Sequence, residues 1–311
     1  MNQYDVVIIG GGAAGLSAAL VLSRARRTVL VVDSGQPRNA PAAHLQGFLS
    51  RDGLPPRDLL ALGRAEIEGY GATVREDTVT DLVPSGSSGF WVLLAGGERV
   101  AARRLLVATG LRDELPDIPG LRERWGRDVL HCPYCHGYEV RDQPLGVLGG
   151  SADAVRYTQI VRQWADDVVL FTPPHTLTHA DRSGLVARAI GIVEGTVTRV
   201  LVEDDRLSAV ELADGQRVRR GALFVPPVFV PNNALLVGLG CTVDESGWLV
   251  IGANGTTSVP GVWVAGNVAN PRAQIITAAG EGSASAMAIN ADLVEDDVRI
   301  AVRDLNQGVT S

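Results

Sequence analysis

The sequence predicts an α/β protein made of two Rossmann-like, three-layer domains, the second inserted into the first. Two segments carry this prediction, because each runs through an apolar strand, a glycine-rich turn, a helix and a second apolar strand, over residues 6–33 and 145–171. Strand-and-turn patterns also precede and follow the second segment, at residues 105–110 and 257–267. We therefore predict a discontinuous first domain of residues 1–113 and 244–311, and an inserted domain of residues 114–243.

The first segment has the spacing of a dinucleotide-binding turn. Gly10 permits a tight turn after the strand, Gly12 lets the backbone approach a diphosphate, and Gly15 lets the helix pack closely on the strand. The diphosphate would lie at the N-terminus of the helix, where free N–H groups and the helix dipole favour negative charge. Asp33 ends the second strand about 20 residues later, and its carboxylate can accept hydrogen bonds from the hydroxyls of an adenosine ribose. This segment predicts a bound dinucleotide.

The second segment keeps the signature of the fold but not the residues that clamp a nucleotide. Ser151 replaces the middle glycine of the turn, and Ala154 replaces the third. No acidic residue ends its second strand, which continues into residues 172–175 (Thr-Pro-Pro-His), and Arg182 lies further along the chain. We interpret the inserted domain as a nucleotide-type domain that lacks its nucleotide.

Two shorter elements complete the first domain. The strand at residues 105–107 ends in the small-residue turn Ala108-Thr109-Gly110. After the inserted domain, an apolar strand leads into the turn at residues 265–267, and a long helix rich in alanine, glutamate and serine is predicted to begin near Ala278.

Charge and composition exclude several classes of protein. The 311 residues include 28 basic and 35 acidic side chains, and this net charge of −7 argues against a nucleic-acid partner. All 28 basic residues are arginines, which excludes lysine Schiff-base chemistry and a P-loop lysine. No apolar run approaches the roughly 18–20 residues that cross a bilayer. Because of this, no membrane partner is expected. Three cysteines are too few for a disulfide scaffold, which favours a reducing compartment, so we expect a cytoplasmic protein.

The chemistry is predicted to lie in residues 131–139, His-Cys-Pro-Tyr-Cys-His-Gly-Tyr-Glu. Cys132 and Cys135 can face each other across one helical turn, close enough for a disulfide. Pro133 suits the first turn of a helix, and a helix N-terminus lowers the pKa of a thiol and makes it nucleophilic. His131 and His136 could hold or move a proton.

Three interpretations of this cysteine pair compete. A Cys-x-x-Cys motif beside strand–helix–strand units is usually redox-active, and we favour that interpretation. Half of a zinc site is the second, although no other Cys/His pair has matching spacing, so no metal is expected. A pair of buried structural thiols is the third. Cys241 stands alone and is predicted to be a buried small apolar residue.

With these motifs, the whole chain resembles the low-molecular-weight thioredoxin reductase family of flavoproteins. The resemblance rests on the glycine turn, on residues 108–110, on the cysteine pair, and on residues 257–266 and 274–280. In that family the terminal segments bind FAD, the inserted domain binds NADPH and carries the redox disulfide, and the enzyme is a homodimer. The resemblance implies that FAD is bound at Gly10, Gly12, Ala13, Ala14, Gly15, Asp33, His44, Val79, Ala108, Thr109, Gly110, Gly266, Asn267, Gln274 and Ile275. Among these, His44 matches the approach to the flavin, and Val79 matches the neighbourhood of the adenine.

The departures from the reductases point to one branch of the family. His136 stands where the reductases carry an acid–base aspartate, and Asn267 replaces the flavin-side aspartate. Phe171-Thr172-Pro173-Pro174 replaces the His-Arg-Arg motif for NADPH, and residues 225–228 (Val-Pro-Pro-Val) replace a glycine-bearing turn. This combination resembles the FAD-dependent dithiol oxidases of the holomycin and gliotoxin type, which close a disulfide in a small natural product and pass electrons to O₂. NAD(P)H is accordingly not expected to bind.

The resemblance implies a mechanism with three named residues. A substrate thiolate attacks Cys132 and forms a mixed disulfide. The second thiol of the substrate then displaces Cys132, and the substrate leaves as a cyclic disulfide. Cys135 is expected to pass the electrons to the flavin, and O₂ becomes H₂O₂. His136 is the predicted base, because a pKa near neutrality suits proton transfer from a thiol.

Two other functions are compatible with the same motifs. A thioredoxin reductase that uses NADPH, or an unusual donor such as ferredoxin or a deazaflavin, would reduce a protein disulfide rapidly. A flavin-bearing redox sensor without turnover would bind FAD tightly and release no peroxide.

Overall fold

A computed structural model of the protein describes residues 3–86, 89–151 and 153–308. These residues form two compact units. Unit 1 comprises residues 3–40, 48–112 and 230–308, and unit 2 comprises residues 41–47 and 113–229. The predicted insertion of one α/β domain into another is confirmed.

The second domain boundary lies earlier than predicted. Unit 1 resumes at Val230 instead of residue 244. The physical reason is packing, because Leu236 and Cys241 are buried in the apolar core of unit 1 together with strand residues such as Val107. The short segment Pro41–Gly47 belongs to unit 2, which no sequence pattern indicated.

Strands and helices alternate along much of the chain. The strands, in chain order, are β1 (Gln3–Ile9), β2 (Val29–Asp33), β3 (Thr73–Glu76), β4 (Val79–Pro84), β5 (Phe90–Leu94), β6 (Arg99–Val107), β7 (Leu111–Glu114), β8 (Val129–Leu130), β9 (Leu145–Leu148), β10 (Val168–Thr172), β11 (Gly191–Glu194), β12 (Val197–Glu203), β13 (Arg206–Leu212), β14 (Arg217–Arg219), β15 (Ala222–Phe224), β16 (Val228–Pro231) and β17 (Val262–Val264). The helices are α1 (Ala13–Arg24), α2 (Pro56–Gly69), α3 (Pro133–His136), α4 (Ala154–Val161), α5 (His179–Ala187), α6 (Ala234–Gly238) and α7 (Ile275–Gly308).

The sheet of unit 1 has a parallel part and an antiparallel part. Strands β3, β2, β1, β6 and β17 are hydrogen-bonded in that order and run parallel. Strands β5 and β4 continue antiparallel from the first half of β6. Residues 6–9 of β1 are at most 4% exposed, as expected for a parallel strand covered on both faces. The glycine turn after β1 therefore lies at the end of a buried strand in the middle of the sheet.

Helices α1 and α7 pack closely on the sheet of unit 1. A Cβ atom on Gly282 of α7 would overlap the carbonyl oxygen of Ala14 in α1, so only glycine allows this approach. Ala286, Ile289 and Leu293 extend the buried face of α7 into the same apolar core. Nowhere in residues 3–86, 89–151 or 153–308 is there a helix both long enough and apolar enough to span a bilayer.

Unit 2 repeats the parallel architecture at a smaller size. Its main sheet has the strand order β11-β10-β9-β15-β8, and every pair in it is parallel. A second sheet of β12, β13 and β14 is antiparallel. The predicted strand, turn and helix from residue 145 are confirmed as β9, a glycine turn and α4.

Candidate active site

The cysteine pair forms a disulfide at the start of a one-turn helix. The Sγ atoms of Cys132 and Cys135 are bonded, and their Cα atoms are 5.2 Å apart. Cys132 is the N-cap of α3 and Pro133 its first residue, as the sequence predicted. The backbone N–H groups of Cys135 and His136 both donate to the carbonyl of Cys132, at 3.1 Å each. The helix thus positions both cysteines, and their sulfurs form a disulfide bond, as in a redox-active motif.

The residue before the pair is held by neighbours that the sequence did not reveal. The Tyr157 hydroxyl, on α4, donates a hydrogen bond to the carbonyl of His131. The imidazole of His131 lies 5.3 Å from the ring of Phe229 and 6.4 Å from that of Trp125, both tilted. Burial raises the pKa of Tyr157, so its hydroxyl stays protonated and remains a donor. Because of these contacts, the peptide that enters α3 is fixed from two sides.

His136 is the last residue of α3, the helix that carries the disulfide, and it has the properties of a neutral base. Burial lowers the pKa of His136 from its ordinary value of 6.5, and the nearby charge of Glu139 opposes part of that shift. The imidazole is therefore largely unprotonated at pH 7 and able to accept a proton.

Aromatic side chains surround the exposed face of α3. Tyr134 and Tyr138 are 66% and 65% exposed. The ring of Trp164 meets that of Tyr134 edge-on at 5.5 Å. The guanidinium of Arg141 lies 3.9 Å from the centre of the Tyr138 ring. Tyr134 lies between the two cysteines in the sequence, so at least one of these rings is carried by the disulfide helix itself.

Most of the residues predicted to bind a dinucleotide come together at one edge of the sheet in unit 1. Gly10 follows β1, Asp33 ends β2, residues 108–110 follow β6, and Gly266 with Asn267 follows β17. These four strands are neighbours and parallel, so their carboxyl ends lie side by side. Dinucleotides bind at this edge in open α/β sheets.

The glycine turn fits a diphosphate. Gly10 has φ +107°, and a Cβ atom on Gly15 would overlap the carbonyl oxygen of Gly10, so both positions require glycine. A Cβ on Gly12 would meet no atom of the described residues within 4 Å, which leaves open space beside the turn. Gly12 is the N-cap of the 12-residue α1, whose first turn has neither an acidic residue nor a side-chain cap. Its first N–H groups are thus available to an anion.

Asp33 has a partner that no motif indicated. Its Oδ2 atom is paired with Nη2 of Arg64 from α2. Gly63 of α2 lies against the side chain of Leu16 on α1, and this helix packing brings Arg64 to the end of β2. The separation of 31 residues explains why the sequence alone could not reveal the pair.

Hydrogen bonds also order the turn after β17. Both Nδ2 protons of Asn267 are used, in bonds to the carbonyls of Asn270 (2.9 Å) and Ala273 (3.0 Å), and its Oδ1 accepts from Arg38 at 3.3 Å. Glu281 of α7 accepts from the backbone N–H of Gly266 at 2.9 Å. Arg38 and Glu281 were not predicted as site residues.

The remaining predicted residues have different surroundings. Ala14 is buried, and its Cβ lies opposite Gly266. Val79 is packed in the apolar core of unit 1, so its backbone, not its side chain, is what could face a ligand. Gln274 and Ile275 lie at the start of α7, which begins three residues before the predicted Ala278. His44 is exposed and belongs to unit 2, whereas the other residues predicted to bind the cofactor belong to unit 1.

In unit 2, the corresponding edge of the sheet carries several contacts within the chain. Arg182, the arginine closest after β10, is paired with Glu194 at the end of β11. The hydroxyls of Thr172 and Thr176 are hydrogen-bonded at 2.7 Å across the proline pair. Asp153 is the N-cap of α4, where its negative charge opposes a diphosphate.

Cys241 is buried, as predicted. It is 6% exposed, and its Sγ donates to Thr257 at 3.6 Å. Burial raises the pKa of this thiol, which makes it unreactive.

Comparisons with known proteins agree with this geometry. The family model of pyridine nucleotide-disulphide oxidoreductases matches residues 4–282. The crystal structure of HlmI is 57% identical, with a TM-score of 0.95, over 99% of this chain and 98% of HlmI. An oxidoreductase from Agrobacterium tumefaciens is 36% identical, with a TM-score of 0.89, over 94% of this chain and 99% of its own.

Thioredoxin reductases are among the other relatives. The thioredoxin reductase sirT of Leptosphaeria maculans is 28% identical over 92% of this chain and 93% of its own. Some curated relatives match over about half of their length: the chain covers 44% of one from Arthroderma benhamiae and 47% of the thioredoxin reductase tcpT of Claviceps purpurea. With the disulfide helix and the glycine turn in place, the chain belongs to the pyridine nucleotide-disulphide oxidoreductase family and is a thiol/disulfide oxidoreductase of the thioredoxin reductase type.

Proposed function

We propose that this protein is an FAD-dependent dithiol oxidase, which closes an intramolecular disulfide in a small dithiol natural product. The open space beside Gly12, the free N-terminus of α1 and the acidic end of β2 are suited to hold FAD in unit 1. Bound FAD supplies the two-electron transfer from the enzyme's dithiol to O₂, which yields H₂O₂.

The chain's own residues account for the disulfide exchange. A substrate thiolate attacks Sγ of Cys132, and Cys135 leaves as a thiolate, so one disulfide bond breaks as a mixed disulfide forms. The second substrate thiolate attacks the substrate's own sulfur in that mixed disulfide and expels Cys132. The substrate leaves as a cyclic disulfide, two electrons poorer, and the enzyme keeps both electrons as a dithiol. His136 takes up a proton from the substrate thiols, since it is neutral at pH 7.

The observation that carries the proposal is the state of the nucleotide edge in unit 2. A nicotinamide dinucleotide would need a free N-terminus on α4 and a clamp at the end of β10. Asp153 puts a negative charge at the N-terminus of α4, and Arg182 is paired with Glu194, which supports the loss of this site. If NADPH is not the donor, the substrate dithiol can supply the electrons, and the reaction then runs as a thiol oxidation. The identity of 57% to HlmI, over nearly the whole of both chains, supports placing this protein in the same branch of the family as HlmI.

An anaerobic experiment tests the proposal. The purified flavoprotein is mixed with NADPH, with NADH, or with a small dithiol such as dithiothreitol, and the flavin absorbance is followed. We expect bleaching by the dithiol alone and stoichiometric peroxide when air is admitted. Rapid bleaching by NADPH would overturn the loss of the nicotinamide site.

Cysteine variants test the route of the electrons. Cys132→Ser and Cys135→Ser are each expected to abolish dithiol oxidation, because each removes one atom of the exchanging disulfide. Cys241→Ala is the matched control, since that thiol is buried and takes no part, and it should retain the wild-type rate. A surviving rate in either serine variant would refute the disulfide mechanism.

Thioredoxin reductase activity is the second candidate, and the names of relatives such as sirT favour it. That function requires a donor that reduces the flavin and a protein disulfide that accepts the electrons. Insulin reduction coupled to a thioredoxin, supplied with NADPH or with reduced ferredoxin, separates the two candidates. We expect no such coupled reduction.

We also propose a homodimer. The exposed side of α7 carries an apolar stripe, and its members follow one another at alternating intervals of four and three residues: Met287, Ala291, Val294, Val298, Ala301 and Leu305. This spacing is that of a helix that pairs with another helix. Val298→Glu should shift the protein toward a monomer in sedimentation velocity, whereas Val186→Glu, at an exposed position of unit 2, should not.

A further inference from the structure

We infer that Glu281 is a positioning residue for the cofactor: its carboxylate fixes the turn after β17 in an arrangement in which the Asn267 amide can offer a ligand only its oxygen. The inference rests on the proposed function in that FAD is the dinucleotide concerned. Glu281 lies on α7, 15 residues beyond Gly266, and was not predicted as a site residue. Three observations and the order of the strands support its role.

The first observation is that Glu281 joins two parts of the turn. Its Oε2 atom accepts from the backbone N–H of Gly266 at 2.9 Å, and its Oε1 atom accepts from Nδ2 of Asn270 at 2.7 Å. Oδ1 of Asn270 accepts from the backbone N–H of Arg272 at 3.2 Å, which sets the orientation of the Asn270 amide. Each oxygen of the carboxylate therefore faces a donor, whereas a glutamine would turn an NH₂ group toward one of them.

The second observation is that close packing holds the backbone beside Glu281 in place. A Cβ atom on Gly282, the next residue, would overlap the carbonyl oxygen of Ala14 in α1. A Cβ atom on Gly266 would lie 3.1 Å from Cβ of the same Ala14 and 3.6 Å from Cβ of Ala278 on α7. The start of α1, the turn after β17 and the first turns of α7 thus meet at one point. Glu281 therefore acts on the turn from a fixed position.

The third observation is the orientation of the Asn267 amide. Its Nδ2 group donates to the carbonyls of Asn270 and Ala273, so an oxygen in that place would face two other oxygens. Its Oδ1 atom accepts from Arg38 at 3.3 Å and, like any amide oxygen, has a second lone pair for a ligand hydroxyl. Asn270 is the link, because its carbonyl accepts from Asn267 while its amide donates to Glu281.

The order of the strands assigns this turn to one half of the dinucleotide. Strands β2, β1, β6 and β17 are neighbours in that order, so the end of β17 is three strand spacings, about 14 Å, from the end of β2. A dinucleotide with its adenosine at Asp33 and its diphosphate at the glycine turn extends toward β6 and β17 with its other half. In FAD that half carries the flavin, so Glu281 should affect the flavin half and not the adenosine half.

A cycle of four full-length proteins tests the inference. The dissociation constant for FAD is measured on the flavin-free proteins by the quenching of flavin fluorescence. In Glu281→Gln an NH₂ group faces a donor, and we expect the dissociation constant to rise about tenfold, the size of a hydrogen bond to a charged group. Asn270→Asp places two carboxylates against each other and should weaken binding at least as much.

The double variant Glu281→Gln/Asn270→Asp restores the complementarity with the two side chains exchanged. The new aspartate accepts from the glutamine NH₂ group and from the N–H of Arg272, and the glutamine oxygen still accepts from Gly266. Its net charge equals that of the wild type. We expect its FAD affinity to return close to the wild-type value, which two independent losses could not produce.

Two controls separate positioning from folding. Glu295→Gln makes the same change at an exposed position of α7 and should leave the affinity for FAD unchanged. ADP, titrated by calorimetry, lacks the flavin half and should bind Glu281→Gln as it binds the wild type. Urea denaturation of the flavin-free proteins verifies folding, and if Asn270→Asp does not fold, Glu281→Gln and the double variant decide.

Several results would overturn the inference. If Glu281→Gln keeps the wild-type affinity for FAD, the carboxylate serves folding alone. If the double variant binds FAD no better than Glu281→Gln, Glu281 does not act through Asn270. Equal losses of affinity for ADP and FAD would contradict the assignment to the flavin half. A wild-type protein that binds no FAD would instead overturn the proposed function itself.

Discussion

Two substitutions in the glycine turn after β1 allow the effect on cofactor binding to be measured separately from the effect on folding. Gly12→Ala and Gly15→Ala each add one Cβ to the same turn. The first atom would enter open space, and the second would enter the carbonyl oxygen of Gly10. We expect opposite phenotypes from them.

For Gly12→Ala, the energetic effects on the free protein nearly cancel. Gly12 has φ −77° and ψ −175°, which alanine adopts without strain, and the loss of unfolded-state entropy stabilises by about 0.4–1 kcal/mol. Alanine is a poorer N-cap than glycine by a similar amount, about 0.5–1 kcal/mol. The unfolding free energy of the flavin-free protein should therefore change by less than about 1 kcal/mol. The new methyl group fills the space that a diphosphate would approach, so FAD affinity should fall by about tenfold or more.

For Gly15→Ala, folding itself is affected. The added atom would lie well within 3.0 Å of a backbone oxygen, and Gly10 cannot yield easily because its φ of +107° is already confined to glycine. Overpacking of this kind destabilises by about 1–3 kcal/mol, and we expect the upper end because backbone must move.

Urea denaturation of the flavin-free proteins and titration with FAD measure both quantities. If Gly12→Ala binds FAD like the wild type, the diphosphate does not lie on the N-terminus of α1, and the argument for the cofactor position fails. If Gly15→Ala is as stable as the wild type, the close contact with Gly10 is not required by the fold.

Three further predictions concern the redox helix and the core. In the pH–rate profile of dithiol oxidation, the acid limb should lie below pH 6.5, because burial lowers the pKa of His136. Glu139→Gln should move this limb to still lower pH, because it removes a negative charge that raises the pKa of His136. An acid limb above pH 6.5 would contradict the assignment of His136 as the base. Arg104→Met should lower the free energy of unfolding measured in urea by about 2 kcal/mol, since it removes a partner of Asp292 and of the buried Asp296, while an unchanged midpoint would mean that these pairs are dispensable. Tyr157→Phe should preserve folding but loosen the peptide before the cysteine pair, so the dithiol–disulfide equilibrium in glutathione buffers should shift toward the dithiol. Identical equilibria in variant and wild type would show that the hydrogen bond from Tyr157 to His131 does not position the cysteine pair.

The local features of this protein follow from its sequence because they depend on near neighbours. Cys132 and Cys135 lie one helical turn apart, and Pro133 is suited to the first position of α3, so the pair and its helix were both predictable. The glycine turn is equally local, since Gly10 and Gly15 are required by contacts within one strand–turn–helix unit. Alternating apolar strands and helices, repeated twice, also specify the two-domain α/β fold.

Contacts between distant parts of the chain depend on tertiary packing. The pairing of Arg64 with Asp33 depends on how α2 packs on α1, and no residue spacing encodes that packing. The same holds for Tyr157, which reaches the peptide before the cysteine pair from another helix. The boundary at Val230 was set by the core that Leu236 joins, since an apolar residue in a short helix is compatible with either unit until its neighbours are known. Local sequence thus specifies the reactive groups and the fold class, and the packing of distant elements determines which side chains hold those groups in place.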